Sequence, residues 1–123
     1  MSADLQLFKL LGDIHASADR IRVVIESETL ESFLNPDSMN IQDAVARRFT
    51  IIGEASAALL RKYPGFCERH PEIPLRQARG MRNVLVHDYD GVDWEWVWNT
   101  SEKSIPQLIK AIAPFLAPQK TRL

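Results

Sequence analysis

Arg82, His87 and Tyr89 stand in an R-x-x-x-x-H-x-Y pattern inside the stretch Arg79-Gly80-Met81-Arg82-Asn83-Val84-Leu85-Val86-His87-Asp88-Tyr89. The three supply a permanent cation, a group that titrates near neutral pH, and a phenol. Arginine holds phosphate through a planar fork of donors. Histidine moves a proton at physiological pH. Together they suit cleavage of a phosphodiester, which points to RNA as a substrate.

Such a motif needs elements to position it. Leu7, Leu10, Leu11, Ile14, Ala18, Ile21 and Ile25 recur at steps of three and four, predicting an amphipathic helix from about Asp4 to Glu28. Asn35-Pro36-Asp37-Ser38 signals a turn, with Phe33 and Leu34 packing between helices. A second helix starts near Asp37 or Ser38, either of which can cap it, and ends at Tyr63-Pro64-Gly65. Its buried stripe is Ile41, Val45, Ala46, Phe49, Ile52, Ala55, Ser56, Leu59 and Leu60. Gly53 inside it costs ~1 kcal/mol relative to alanine and reads as a point of close helix packing. Residues 66–74 contain His70-Pro71 and Ile73-Pro74, so they read as irregular or as a short turn. A third helix runs from about Pro74 to His87 or Tyr89, and Asp90-Gly91-Val92 is a turn. Asp93 caps a fourth helix with Trp94, Val97, Trp98, Ile105, Leu108, Ile109, Ile112 and Leu116 on its apolar side. Pro106 predicts a kink or break around Glu102 to Ile105, and the end of the chain, with Pro118, Lys120 and Arg122, is expected to fray. No run alternates like a strand. The expected fold class is all-α: an up-and-down bundle of four main helices in a single domain spanning 1–123.

The overall balance narrows the function. Net charge is −1 over 123 residues, which excludes a bulk electrostatic nucleic-acid binder and leaves a local patch. The one cysteine, Cys67, forbids an internal disulfide and fits a reduced, cytoplasmic setting. Met1-Ser2-Ala3-Asp4 shows no signal peptide, and no apolar stretch approaches the ~18 residues of a membrane span. His15, His70 and His87 lack metal-ligand spacing, so neither a metal nor a cofactor is expected. Trp94 and Trp98, one helical turn apart, read as packing; Trp96, on another side, is the better interface candidate.

On the third helix, Arg79, Arg82, Asn83, Val86 and Tyr89 are expected on one side, with His87 at its margin beside Asn83. Met81, Val84 and Leu85 are expected to face the core. Arg82 and His87 are five apart, a poor same-face spacing. Either the helix end distorts, or a second copy of the chain completes the site. The plainer reading is a solvated polar face, with His87 favourable near a helix C-terminus because a cation there complements the dipole. Glu54 falls seven after Arg47 on the second helix; a buried Glu–Arg pair or an interface contact fits it better than acid catalysis.

A linked set of segments resembles the HepT-like toxins of the HEPN superfamily over about residues 5–115. Asp43-Ala44-Val45-Ala46-Arg47-Arg48-Phe49-Thr50-Ile51-Ile52-Gly53-Glu54-Ala55 looks like the family's second-helix signature. Tyr63-Pro64 and Pro71-Glu72-Ile73-Pro74 resemble its linker. Met81-Arg82-Asn83 through His87-Asp88-Tyr89 resembles its core motif, and Val92-Asp93 with Val97-Trp98 resembles the segment after that motif. Leu75 stands where the family often has Trp, and Asp88 where it often has Gly; Asp88 adds negative charge beside the expected phosphate site. The resemblance implies a homodimer whose two motifs face each other across a cleft, and metal-independent RNA cleavage. It also implies a small MNT-type nucleotidyltransferase antitoxin that transfers AMP from ATP to the motif tyrosine, here Tyr89.

Two functional readings are open. In the first the chain is a ribonuclease toxin: His87 is general base or acid on the 2′-hydroxyl, Arg82 binds the phosphate, Asn83 orients His87, and Arg79 and Glu54 support them. In the second it is a non-catalytic dimeric scaffold that binds its nucleotidyltransferase partner and accepts AMP on Tyr89.

Overall fold

The computed structural model describes residues 2–121, with side chains described from Leu5 to Leu116. Six α-helices follow one another: α1 (Ser2–Glu26), α2 (Leu30–Leu34), α3 (Met39–Lys62), α4 (Pro64–Arg69), α5 (Leu75–His87) and α6 (Trp94–Thr121). Single 3-10 turns at Pro36–Ser38 and Tyr89–Gly91 sit before α3 and after α5. Four of the helices are long and form the expected all-α bundle; among the described residues there is no strand.

The apolar stripes meet in one core. Leu11, Ile14, Ala18 and Ile21 of α1, Val45, Phe49, Ile52 and Leu59 of α3, Met81 and Leu85 of α5, and Val97, Ile105, Leu108 and Ile112 of α6 are buried. α1 packs on α3 and α6, and α3 packs on α5. Tyr63, at the end of α3, donates to Gln6 near the start of α1, so these helices run antiparallel. Phe66 of α4 meets Phe115 near the end of α6, with ring centroids 5.2 Å apart. Phe33 of α2 meets Trp98 in the first turns of α6 at 5.3 Å. α5 leans on α3 and leaves a cavity of about 360 Å³ between α3, α5 and α6, with Phe49, Ile52, Met81 and Trp96 in its wall.

The structure corrects several local expectations. α2 emerges where only a turn is expected. Thr29 and Ser32 form a capping box there: each side chain takes the other's backbone N–H. Phe33 is buried as expected, but Leu34 is 39% exposed, because α2 is too short to cover both. Neither Asp37 nor Ser38 caps α3 with its side chain; Ser38 is the cap residue, but its hydroxyl turns back to the Ser32 carbonyl at 2.5 Å. The 66–74 connection carries α4, started by Pro64 at its first position, where a missing N–H costs nothing. Asp93 does cap α6, accepting from the backbone N–H groups of Glu95 and Trp96 at 3.0 and 3.3 Å.

α6 runs unbroken through Pro106, so of the kink or break expected there the structure has no break. Pro106 is exposed, and helices bow toward solvent because carbonyls on that side tilt outward, which makes room for the ring. The helix likewise continues past Pro118 and Lys120 to Thr121, where fraying is expected from sequence; Arg122 lies outside the described residues.

Candidate active site on the motif helix

α5 is docked on α3 through Gly53. A Cβ there would lie 2.8 Å from the Ala78 carbonyl oxygen and 2.9 Å from Arg82 Cγ, both closer than real side chains approach. Glycine thus lets the stem of Arg82 lie directly on the α3 backbone. This is the close packing that Gly53 predicts, and it decides how Arg82 is held.

Arg82 is half-buried, and its Nε is shut away from solvent with no hydrogen-bond partner. An orphaned buried donor costs ~1–3 kcal/mol. Arg79, one turn earlier, is also half-buried. Asn83 and His87 are exposed and make no hydrogen bond to each other. Five residues along a helix turn ~140° and rise ~7.5 Å, so Arg82 at the α3 seam and His87 point apart. Arg82 and His87 therefore do not share a face, as their spacing predicts. Val84 does not enter the core with Met81 and Leu85; it is 41% exposed, because α5 buries its face on α3 and leaves the α6 side open.

Helix α5 ends at His87. Asp88 leaves the helical region with φ −142° and ψ 48°, while its N–H still donates to the Val84 carbonyl at 2.9 Å. The 3-10 turn comes next, with the Gly91 N–H donating to the Asp88 carbonyl at 3.1 Å. The Asp88 carboxylate folds back over this turn: a Cβ on Gly91 would meet both its oxygens at 2.8 Å.

Tyr89 is anchored twice. Its hydroxyl donates to Asp43 Oδ1 in the first turns of α3, and its ring stands edge-on to Trp94 of α6 at 5.6 Å and 81°. Burial, the Asp43 hydrogen bond and the charges of Asp43 and Asp90 push the phenol up to about 12. Asp43 belongs to this neighbourhood, yet sequence reasoning assigns it no role. The available signal is its place in the second-helix signature, on the same side of α3 as Arg47. Glu54 and Arg47 are both exposed and form no ion pair, so the expected buried pair is absent. Trp94 is half-buried and Trp98 buried, while Trp96 is partly exposed in the wall of the α5–α6 cavity. Burial pushes the Cys67 thiol up, away from reactivity.

An all-α bundle with Arg82 in the middle and His87 at the end of one helix carries groups that suit a phosphodiester, and comparison with known proteins gives the chain a family. The family described as Ribonuclease HepT-like matches residues 14–115. The chain is 36% identical over 108 residues to "Putative RNase MJ0125" of Methanocaldococcus jannaschii, covering 87% of this chain and 86% of that protein. It is 38% identical over 99 residues to "Probable ribonuclease HepT" of Thermococcus cleftensis, covering 80% and 84%. A third relative, "Putative RNase TTE0752" of Caldanaerobacter subterraneus, is 38% identical over 77 residues, covering 63% and 66%. No solved structure matches. The chain belongs to the HepT-like ribonuclease family.

Proposed function

We propose that this chain is the toxin of a HepT-type toxin–antitoxin pair and cleaves RNA without a metal. The observation that carries the reading is the motif helix itself. Arg82 holds an unsatisfied Nε on a fixed stem, and His87 stands exposed one and a half turns on. A phosphodiester is a ligand that the guanidinium of the half-buried Arg82 can hold and that His87 can act on. In this reading His87 takes the proton of the 2′-hydroxyl, the 2′-oxygen attacks the neighbouring phosphorus, and the 5′-oxygen leaves with a proton. Arg82 steadies the charge that builds on the phosphoryl oxygens. Arg79 adds positive charge to the same end, and Asn83 shares the His87 side of α5. Glu54 is exposed on α3, where it serves best at an interface.

The split between Arg82 and His87 supports a homodimer, in which the His87 of one protomer works beside the Arg82 of its partner. Val84 and Val86 on α5 and Trp96 on α6 offer exposed apolar surface for such a contact. Among the described residues no three His, Cys, Asp or Glu side chains gather into a metal site, and the proton transfers written above call for none. No described helix is long and apolar enough to cross a membrane. A cytoplasmic site of action, with RNA as substrate and the domain spanning residues 1–123, completes the reading.

Control by a cognate MNT-type nucleotidyltransferase antitoxin fits the same end of the molecule. The Tyr89 Oη displaces pyrophosphate from the α-phosphorus of ATP and loses its proton to water. The AMP phosphate then sits near the position that RNA needs and repels it. Tyr89 is partly exposed, so a partner's active site can reach it. The test that separates the enzyme from a non-catalytic scaffold is incubation of the purified protein with total RNA. Cleavage by the wild type that His87→Ala abolishes supports the ribonuclease; intact RNA in both supports the scaffold.

A further inference from the structure

We propose that Asp43 is a positioning residue of the motif: by accepting the Tyr89 hydroxyl it pins the chain just beyond α5 to α3, and so fixes the turn that carries His87. For its effect on activity the inference rests on the ribonuclease reading above; for its structure it does not.

His87 sits where its own helix can no longer hold it. It is the last residue of α5, its side chain is exposed, and it makes no side-chain hydrogen bond. Asp88 has already left helical angles. Terminal turns fray, since their carbonyls lack partners within the helix. Something outside α5 must hold this end, and Tyr89, with the buried Val92 beyond it, does so. Its hydroxyl crosses 46 residues of sequence to Asp43, and its ring meets Trp94. The ring contact tolerates sliding, whereas the hydrogen bond is directional and fixes register. Gly53 and Arg82 clamp the middle of α5 to α3, and Asp43 and Tyr89 clamp its end. The two clamps together fix where α5 presents Arg82 and His87 to a substrate or to a second copy of the chain. Geometry of this kind matters to rate: a displacement of ~1 Å in a reacting group can cost ~10²-fold.

The tether also makes a group on Tyr89 consequential. A phenol carrying any substituent on Oη has no proton to donate. Transfer of AMP there, with pyrophosphate leaving, removes the hydrogen bond and sets a phosphodiester anion against the carboxylates of Asp43 and Asp90. The modified residue is repelled from its anchor, and the His87 turn is released. Silencing then comes from a loosened site as well as from an occupied one.

The test uses full-length wild type, Asp43→Ala, Asp43→Asn and Tyr89→Phe. Amide exchange over residues 84–89 is followed by mass spectrometry, and RNA cleavage is measured on the same preparations. Asp43→Ala and Tyr89→Phe are expected to exchange these amides about tenfold faster, the factor that loss of one hydrogen bond of ordinary strength gives. Their kcat is expected to fall ~10²-fold, with KM little changed, and the double variant should be no worse than either. Asp43→Asn keeps an acceptor oxygen for the phenol and is expected to restore most of both properties. Unchanged exchange in Asp43→Ala and Tyr89→Phe overturns the proposal whatever the protein does to RNA. Faster exchange with wild-type kcat overturns it as well. A wild type that leaves RNA intact while the variants exchange faster supports the tether and refutes the ribonuclease reading instead.

Discussion

In the proposed ribonuclease, Arg82 acts through a side chain that is already half immobilised. Its stem rests on the α3 backbone at Gly53, and its Nε waits without a partner. Binding a phosphate therefore costs little of the rotamer entropy that a free arginine loses. A lysine at this position has a single ammonium and no fork, so it can neither use the Nε position nor bind two phosphoryl oxygens in plane. Arg82→Lys is expected to lower RNA cleavage by ~10²-fold, close to the loss of an oxyanion donor; near wild-type rates in a single-turnover assay contradict this role. The Tyr89 phenol offers a second check. It is raised from 10.0 to about 12 in the folded chain, so the folded state favours the neutral form. The stability that the neutral phenol contributes is complete below pH 10 and is lost as pH rises from 10 towards 12. A phenolate absorbance titration with Tyr63→Phe removing the other tyrosine should give a midpoint near 12, and Asp43→Asn should move it toward 10. A midpoint near 10 without that substitution is incompatible with the Asp43 bond.

Elements decide what those residues can reach. The four long helices were legible because their apolar residues recur every three or four positions, and burial tracks those stripes at Leu11, Ile14, Phe49, Ile52, Met81 and Ile112. The short helices were not. α2 depends on a reciprocal Thr29–Ser32 cap, and α4 on a Pro64 start; neither has enough length for a periodic pattern. For a related reason Pro106 does not break α6. A proline's cost depends on which side of the helix it occupies, and facing is settled by packing against α1 rather than by local sequence. Gly53 is the element-scale prediction. Gly→Ala in a helix interior usually gains ~1 kcal/mol, but overpacking a tight contact costs ~1–3 kcal/mol. Here the added carbon meets the Ala78 carbonyl, part of a backbone that cannot swing aside. Gly53→Ala is expected to lower the melting temperature by several degrees and to weaken RNA cleavage by shifting Arg82. A variant melting above wild type would mean that α3 and α5 separate freely.

At the scale of the whole molecule, the site is an assembly of distant parts. The residue types of the motif and the helix that carries them were readable in the chain. The poor same-face spacing of Arg82 and His87 was readable as well, whereas the exposure of Val84 and the Asp43 partner of Tyr89 were not, because each results from α5 docking on α3 and leaving the α6 side open. The same opening gives the molecule its exposed apolar surface at Val84 and Trp96. Light scattering at micromolar concentration is expected to give the mass of two chains or a multiple of it; a stable monomer would remove the shared-site reading. In the proposed reaction Arg82 and His87 cleave RNA through the neighbouring 2′-hydroxyl with no metal. Its most direct test is to incubate the purified wild type and His87→Ala with RNA in excess EDTA and to analyse the new ends. The wild type alone is expected to leave 2′,3′-cyclic phosphate ends, at a rate EDTA does not change. Cleavage that stops on chelation and returns with a divalent ion, or that persists in His87→Ala, would contradict it.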